Sequence, residues 1–270
     1  MSKRMLVTDL DGTLAYHGVV GEKALASMKA LGERKIVRVI ATGRSLHGAR
    51  RVLGDDFPVD YLVFSSGAGV LDWRDKTVMR SSTMELGDVQ SIARALSANE
   101  FNFMVHDPIP ENHLFAFHHG EAPCDDFLRR LDRNRGFSRP LKTLSTPASQ
   151  FVVILPPNKI DDILKLRSLF PKQSLIRATS PLDNASAWLE IFSPGICKSE
   201  ACEWLCAKLS ISSKNVLAVG NDYNDHDLLE WAGTAMLVEN SPEDLGDRFQ
   251  RLDGFGVEGF SEAVRLWISE

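Results

Sequence analysis

Short apolar runs alternate with segments of helical periodicity over the first seventy residues, and this alternation limits the possible folds more than any other feature. The apolar runs at 4–8, 36–41 and 61–64 predict strands. The segments at 22–34 and 45–53, which lie between these runs, predict helices. Because strands joined by helices form parallel sheets covered on both faces, the sequence predicts an α/β fold with a doubly wound parallel sheet.

The alternation becomes irregular after the first third of the chain and returns in the last third. In between, the strand and helix candidates follow no repeating order, which predicts a separate α+β unit. In the last third, strand candidates at 188–192, 216–219 and 235–238 are each followed by a helical segment. We therefore predict a core formed by 1–83 and 186–270, interrupted by an inserted cap at 84–185.

The composition limits the partners that the chain can have. Its 270 residues carry a formal net charge of −5, and the pI is near 5.8. Surfaces that follow a nucleic-acid backbone need an excess of Lys and Arg, so we expect no nucleic-acid partner. No apolar run has the length of a membrane span or a signal peptide, and the four cysteines contain no Cys-x-x-Cys pair. We therefore expect a cytoplasmic protein with reduced thiols and no membrane partner.

Two acidic residues directly follow the first predicted strand, in the segment Asp9-Leu10-Asp11-Gly12-Thr13. Ligands of doubly wound sheets bind beyond the carboxyl ends of the strands. Residues two apart in an extended chain project to the same side, so Asp9 and Asp11 can converge on one site. Two such close carboxylates repel each other, which indicates chemistry in which one attacks phosphorus, the other moves a proton and a cation shares the first. A simple strand-to-helix turn would explain only one of the two acids.

Two further segments place polar residues directly after predicted strands. Thr42-Gly43-Arg44 follows the second strand, where the Thr is either a helix cap or an anion ligand. Lys198 lies in the first turn of the helix that opens the last third of the chain. A lysine at this position opposes the helix macrodipole, so an anion contact explains it better than surface solubility.

The last motif, at 220–229, brings carboxylate and amide oxygens to another predicted strand end. Asn221, Asp222 and Asp225 offer the hard oxygen donors that Mg²⁺ prefers. A carboxylate and a phosphate charge repel each other by about 4 kcal/mol at roughly 4 Å and an effective dielectric of about 20. A divalent cation removes this repulsion, so the sequence predicts a Mg²⁺ cofactor.

Together these motifs resemble those of the haloacid dehalogenase (HAD) superfamily of phosphatases, and the segments at 65–70, 238–243 and 256–259 are similar to its Cof-type branch. The resemblance implies that Asp9 is the nucleophile, that Asp11 is the general acid/base and that the cap selects the substrate. It further implies a phosphoryl-binding set and a metal-binding set. The phosphoryl-binding set is Gly12, Thr42, Gly43, Arg44 and Lys198, and the metal-binding set is Asp9, Asp11, Asn221, Asp222 and Asp225.

The chain departs from the family pattern at Asn221, where the family has a metal-binding Asp. Either Asn221 binds the metal through its amide oxygen, or Asp222 or Asp225 takes over. The resemblance implies Mg²⁺-dependent hydrolysis of a small phosphorylated metabolite, such as a sugar phosphate, through an aspartyl phosphate. Two alternatives stay open, a phosphomutase on the same scaffold and a non-catalytic protein that binds a phosphorylated ligand.

Overall fold

The computed structural model describes residues 3–120, 123–254 and 256–269, and it divides the chain into two units. The core unit runs up to Ser81 and resumes at Cys197, and the inserted unit runs from Ser82 to Ile196. Positions 1, 2, 255 and 270 of the predicted core and positions 121 and 122 of the predicted cap lie outside the described residues. Among the described helices, none has the length and apolar character needed to cross a lipid bilayer.

Strands and helices are numbered in chain order over the described residues. The strands are β1 (Met5–Thr8), β2 (Ala15–Tyr16), β3 (Val19–Val20), β4 (Val37–Ala41), β5 (Tyr61–Phe64), β6 (Gly69–Asp72), β7 (Thr77–Ser81), β8 (Phe103–His106), β9 (Phe115–His118), β10 (Ser138–Pro140), β11 (Gln150–Leu155), β12 (Ser174–Thr179), β13 (Ala187–Phe192), β14 (Val216–Gly220), β15 (Thr234–Leu237) and β16 (Gln250–Arg251). The helices are α1 (Glu22–Glu33), α2 (Leu46–Arg50), α3 (Leu86–Ala98), α4 (Asp125–Arg133), α5 (Asp162–Leu169), α6 (Lys198–Leu209), α7 (His226–Trp231) and α8 (Val257–Ile268).

The core unit contains an eight-stranded sheet in the order β16-β15-β14-β1-β4-β5-β6-β7. The strands from β16 to β5 are parallel, and Thr8 of β1 lies in register with Val219 of β14 and Ile40 of β4. One face packs against α6 and α7, whereas α1 and α8 contact each other as well as β4 and β14. The predicted doubly wound α/β fold is thus confirmed. Its register aligns the carboxyl ends of β1, β4 and β14 side by side.

The core sheet extends further than the sequence analysis predicted, because β6 and β7 continue it as antiparallel strands. The chain turns back from β5 through a short 3₁₀ turn, in which Ser65 and Ser66 both have positive φ. Gly67 in this turn has a φ of +105°, and it approaches the carbonyl of Cys197 so closely that a side chain has no room. No helix separates these strands, so periodicity alone did not distinguish them.

The inserted unit is built on a six-stranded sheet in the order β10-β9-β8-β11-β13-β12. The helices α3 and α5 pack on one face and enclose the larger apolar cluster of this unit. The helix α4 packs through Phe127 on the other face, over Met104, Phe115, Val152 and Ile154. Both faces of the sheet therefore bury apolar side chains, and the unit has its own core.

The strand predicted at 188–192 belongs to the inserted unit, so its assignment to the core was wrong. It is β13, which pairs antiparallel with β11 and β12. Leu189 and Ile191 join the apolar cluster under α3 and α5, whereas Trp188 packs in the cluster under α4. An apolar strand that precedes a helix has the same sequence pattern in either unit, because periodicity does not determine which strand it pairs with.

Candidate active site

The acidic pair of the first motif lies at the carboxyl end of β1. The N–H of Asp9 donates to the carbonyl of Val219 at 2.9 Å, which extends the pairing of β1 with β14 by one residue. Asp9 is only 5% exposed and Leu10 is fully buried, whereas Asp11 is partly exposed. Gly12 follows with a φ of +82°, and a side chain there would overlap the amide of Asn221. The turn after β1 therefore needs a glycine to bring its backbone against the 220–229 segment.

Lys198 connects this turn to the last motif. It is the first residue of α6 and is completely buried. Its Nζ donates to Asp9 Oδ1 at 2.7 Å and to Asp225 Oδ1 at 2.6 Å. Burial lowers the pKa of the Lys198 ammonium group, but the two carboxylates outweigh this effect and raise it above its ordinary value. The lysine is therefore a buried cation between Asp9 and Asp225, two acids that are 216 residues apart in the chain.

Burial dominates the electrostatics of Asp9. It raises the pKa of the Asp9 carboxyl to about 8, with smaller increases from Asp225 and Asp11, while the charge of Lys198 lowers it. The single ammonium group of Lys198 is thus shared between two carboxylates and does not fully compensate the burial of Asp9. Additional positive charge beside Asp9 would favour its ionised form.

Asp225 organises the loop that follows β14. Besides its contact with Lys198, it accepts the backbone N–H groups of Asn221 at 2.9 Å and Asp222 at 3.2 Å through Oδ2. Asp222 and Asp225 also form a reciprocal capping box around the 3₁₀ turn Tyr223–Asp225. Both oxygens of Asp225 are therefore engaged by protein donors, and Asp222 caps the same turn.

Asn221 lies against the turn that carries the acidic pair. Its Oδ1 accepts a hydrogen bond from Thr13 Oγ1 at 3.1 Å. Asn221, one of the three residues predicted to supply the last metal ligand, thus contacts this turn through its side chain. In the described part of the chain, no three His, Cys, Asp or Glu side chains cluster around a metal position. The oxygens of Asp9 and Asn221 nevertheless fit Mg²⁺, because they are hard donors and the charge of Lys198 offsets the burial of Asp9 only in part.

The second motif follows β4, next to β1. Thr42 is 1% exposed, and its Oγ1 accepts the N–H of Arg44 at 3.2 Å. The guanidinium group of Arg44 holds Asp11 through two hydrogen bonds, from Nε at 2.6 Å and from the terminal NH2 at 2.8 Å. The hydrogen bond to Asp11 is also the main cause that raises the pKa of Arg44. The structure therefore places Arg44, which the resemblance assigned to phosphate, on the Asp11 carboxylate.

Three residues to which the sequence analysis assigned no role also hold these motifs in place. Thr13 donates to the 220–229 loop, as described, and Asn240 Nδ2 donates to the carbonyl of Gly12 at 3.1 Å. Asp227 accepts both the N–H and the hydroxyl of Ser199 at 2.8 Å. Each lies inside or beside a segment quoted for the family resemblance, which was the only signal that the sequence offered for them.

A family model for haloacid dehalogenase-like hydrolases matches residues 6–248. The chain belongs to this family. The match spans both units and all four motifs, so the resemblance in the sequence motifs is confirmed. The chain is accordingly a hydrolase of the haloacid dehalogenase-like type.

Individual members of the family align with nearly the whole chain. An HMP-PP phosphatase of Citrobacter koseri is 25% identical over 250 residues, which cover 90% of this chain and 86% of that protein. A Bacteroides thetaiotaomicron protein studied among the phosphatases of the superfamily has 16% identity and a TM-score of 0.79, with 100% of this chain and 96% of that chain covered. A HAD subclass IIB sugar phosphatase has 15% identity and the same TM-score, with 98% and 99% covered. At these identities, the two structures are alike in fold.

Proposed function

We propose that this hydrolase is a Mg²⁺-dependent phosphatase that cleaves a small phosphomonoester through a phosphorylated Asp9. The observation that carries the proposal is the buried Lys198, whose Nζ lies 2.7 Å from Asp9 and 2.6 Å from Asp225. Such a preorganised cation beside a carboxylate suits the transfer of a phosphoryl group, because it can hold phosphoryl oxygens next to the attacking group. The position at the ends of parallel strands agrees with where such folds bind ligands.

The reaction then has two steps. In the first, an Asp9 oxygen forms a bond to phosphorus while the bond from phosphorus to the ester oxygen breaks, and Asp11 gives its proton to that oxygen. In the second, Asp11 takes a proton from water, whose oxygen attacks phosphorus and releases Asp9. The guanidinium group of Arg44 orients the Asp11 carboxyl group through two hydrogen bonds. Thr42 and Lys198 hold phosphoryl oxygens in both steps.

Mg²⁺ would be held by the oxygens of Asp9 and Asn221 at the turn between β1 and the 220–229 loop. When bound, it would neutralise charge on Asp9 and on the phosphate. Asp225 is left out of this ligand set, because its two oxygens accept three hydrogen bonds, from Lys198 and two backbone N–H groups, whereas Asn221 Oδ1 accepts one, from Thr13. In the proposal Asp225 therefore positions Lys198 and Asn221.

The substrate is proposed to be a small phosphorylated metabolite. The names of two family members, an HMP-PP phosphatase and a sugar phosphatase, support this class. Sugar phosphates are the first compounds to test because the resemblance in the sequence favours them. We assign the choice of substrate to the inserted unit, which has a core of its own and is the part in which the sequence analysis found no specific motif.

The proposal is tested by measuring phosphate release from a panel of sugar, polyol, nucleotide and cofactor phosphates, with and without Mg²⁺. We expect Mg²⁺-dependent release from at least one class of small monoester. A substrate labelled with ³²P, followed by an acid quench, should leave label on Asp9, which peptide mapping would locate.

Two outcomes would contradict the proposal. Conversion of a hexose 1-phosphate into an isomer without free phosphate would indicate a phosphomutase. Binding of phosphorylated ligands without turnover of any of them would indicate a non-catalytic binding protein.

A further inference from the structure

Two carboxylates at the start of α7 hold two consecutive residues at the start of α6. Asp225 accepts the ammonium group of Lys198 at 2.6 Å. Asp227, two residues later, accepts the N–H and the hydroxyl of Ser199, each at 2.8 Å and both through Oδ2. The first turn of α6 is thus fixed twice from one neighbouring segment.

The helix α6 has no capping side chain of its own. Its N-cap residue is Cys197, whose side chain makes no cap hydrogen bond and lies instead 3.1 Å from Ser199 Oγ. A helix start leaves backbone N–H groups without a partner inside the helix, and an acidic or hydroxyl side chain usually accepts them. Here Asp227 supplies that acceptor from α7, across the chain. The direction of the first turn of α6 therefore depends on Asp227.

This first turn matters because Lys198 is its first residue. The lysine stem is fully buried and cannot adjust by moving into solvent, so a shift of the turn displaces Nζ from Asp9 and Asp225. Displacements of about 1 Å in a positioning group can cost about a hundredfold in rate. The contact between Asp227 and Ser199 is consequently coupled to the geometry of the buried cation.

We propose that Asp227 is a positioning residue that sets the place of the Lys198 ammonium group by holding Ser199. This inference rests on the proposed phosphatase function. It assigns to Asp227 an effect on the transferring phosphoryl group that is separate from its effect on stability. The carboxylate does not touch the reacting atoms and acts only through the first turn of α6.

The test compares Asp227→Ala with Glu203→Ala in the intact chain. Glu203 also joins α6 to α7, because it accepts Trp231 Nε1 at 2.5 Å, but it lies more than one turn beyond Lys198. Turnover of the best substrate is measured well below the melting temperature, together with inhibition by orthovanadate and the rise in melting temperature that orthovanadate causes. The vanadate readings report phosphoryl binding without turnover.

We expect Asp227→Ala to lower kcat by about tenfold or more and to weaken the binding of orthovanadate by a similar factor, since both depend on the ammonium group of Lys198. Glu203→Ala should lower the melting temperature but change kcat and vanadate affinity by less than about twofold. Ser199→Ala keeps the backbone N–H that Asp227 accepts, so it should have a smaller effect than Asp227→Ala.

A kcat and a vanadate affinity of Asp227→Ala within twofold of the parent would overturn the inference, whatever its melting temperature. If Asp227→Ala does not fold, Asp227→Leu decides, because a leucine side chain fills a similar space but has no acceptor oxygen for Ser199. That variant should lose about tenfold or more in both readings, and parent values would overturn the inference. A parent protein with neither turnover nor a vanadate effect would instead refute the proposed function, and the inference with it.

Discussion

Both units of the molecule bury charged side chains, but they use them differently. In the core unit, Lys198 lies between Asp9 and Asp225, and the two acids follow the neighbouring parallel strands β1 and β14. In the inserted unit, Asp126 of α4 is 2% exposed and accepts Trp188 Nε1 at 2.6 Å and Ser180 Oγ at 2.8 Å. These contacts connect a helix to its own sheet.

The difference lies in how fully each carboxylate is satisfied. Asp126 has a neutral donor on each oxygen, and its contacts are complete within the inserted unit. Asp9 shares one cation with Asp225, and burial raises its pKa to about 8. A buried charge alone therefore does not identify a functional site. An incompletely compensated charge at the end of parallel strands is the more informative combination.

Asp9→Asn tests the core side of this comparison and should have the largest effect. The amide cannot form an acyl phosphate, so phosphate release should fall by about a thousandfold or more. Because burial raises the pKa of Asp9, a neutral side chain there should not lower the melting temperature. Phosphate release and thermal unfolding, both measured at pH 7.5, check the two expectations. Normal turnover of this variant would refute Asp9 as nucleophile.

Asp126→Ala tests the inserted unit. It should lower stability and leave turnover unchanged, which is the reverse of the effect expected for Asp9→Asn. It leaves the part-buried indole N–H of Trp188 and the buried hydroxyl of Ser180 without their acceptor, which should cost about 2 to 4 kcal/mol in the free energy of unfolding. The exposed neighbour Asp125 provides the matched control, since Asp125→Ala removes an acid from the same helix turn. Urea unfolding of both variants gives the comparison. A loss of turnover in Asp126→Ala without a loss of stability would contradict the assignment of a purely structural role.

The local parts of this arrangement could be predicted from the sequence. The strand expected at 4–8 is Met5–Thr8, and the strand expected at 216–219 is Val216–Gly220, because an apolar run between polar segments is a local signal. The placement of acids directly after these strands followed from the same pattern. Which strands pair is not local, and the strand at 188–192 was therefore assigned to the wrong sheet.

The contacts inside the candidate site could be predicted only in part. Asp9 and Lys198 are 189 residues apart, and only the resemblance to a family placed them at one phosphoryl group. The sequence does not specify which anion Arg44 binds. In the structure its guanidinium group donates two hydrogen bonds to Asp11. The role of Asp227 was not predicted, because the acceptor at a helix start is normally the side chain of the residue before the helix, which here is Cys197.

Asn221→Asp tests how the core unit compensates Asp9, and we expect an intermediate effect. If Asn221 binds Mg²⁺ through its amide oxygen, an added negative charge should lower the half-saturating Mg²⁺ concentration by about tenfold. Asp222→Ser is the matched variant, because serine can still cap the 3₁₀ turn but carries no charge. Activity is titrated with Mg²⁺ for the parent and both variants. A higher half-saturating Mg²⁺ concentration in Asp222→Ser, with no decrease in Asn221→Asp, would assign the metal ligand to Asp222.

The smallest effect that we predict is a pH dependence of stability in the inserted unit, at His106. Burial, and after it the charge of Arg130, lower the pKa of this imidazole to about 3. Nε2 of the ring accepts a hydrogen bond from the Arg130 guanidinium group at 3.3 Å. The proton of the neutral ring is then on Nδ1, which donates to the carbonyl of Asn112 at 2.7 Å. The native state therefore holds His106 neutral, whereas an unfolded histidine with a pKa near 6.5 takes up a proton below that pH.

Because the unfolded state binds the extra proton, stability should fall as the pH falls, by about 0.8 kcal/mol between pH 7.5 and 6.0. His106→Gln keeps a donor and an acceptor at this position but does not titrate, so this share of the pH dependence should disappear. Urea unfolding of the parent and His106→Gln at both pH values measures it, since titrations elsewhere in the chain cancel in the difference. An equal loss of stability in both proteins would mean that His106 has the same pKa in the native and unfolded states, so that its burial beside Arg130 does not hold it neutral.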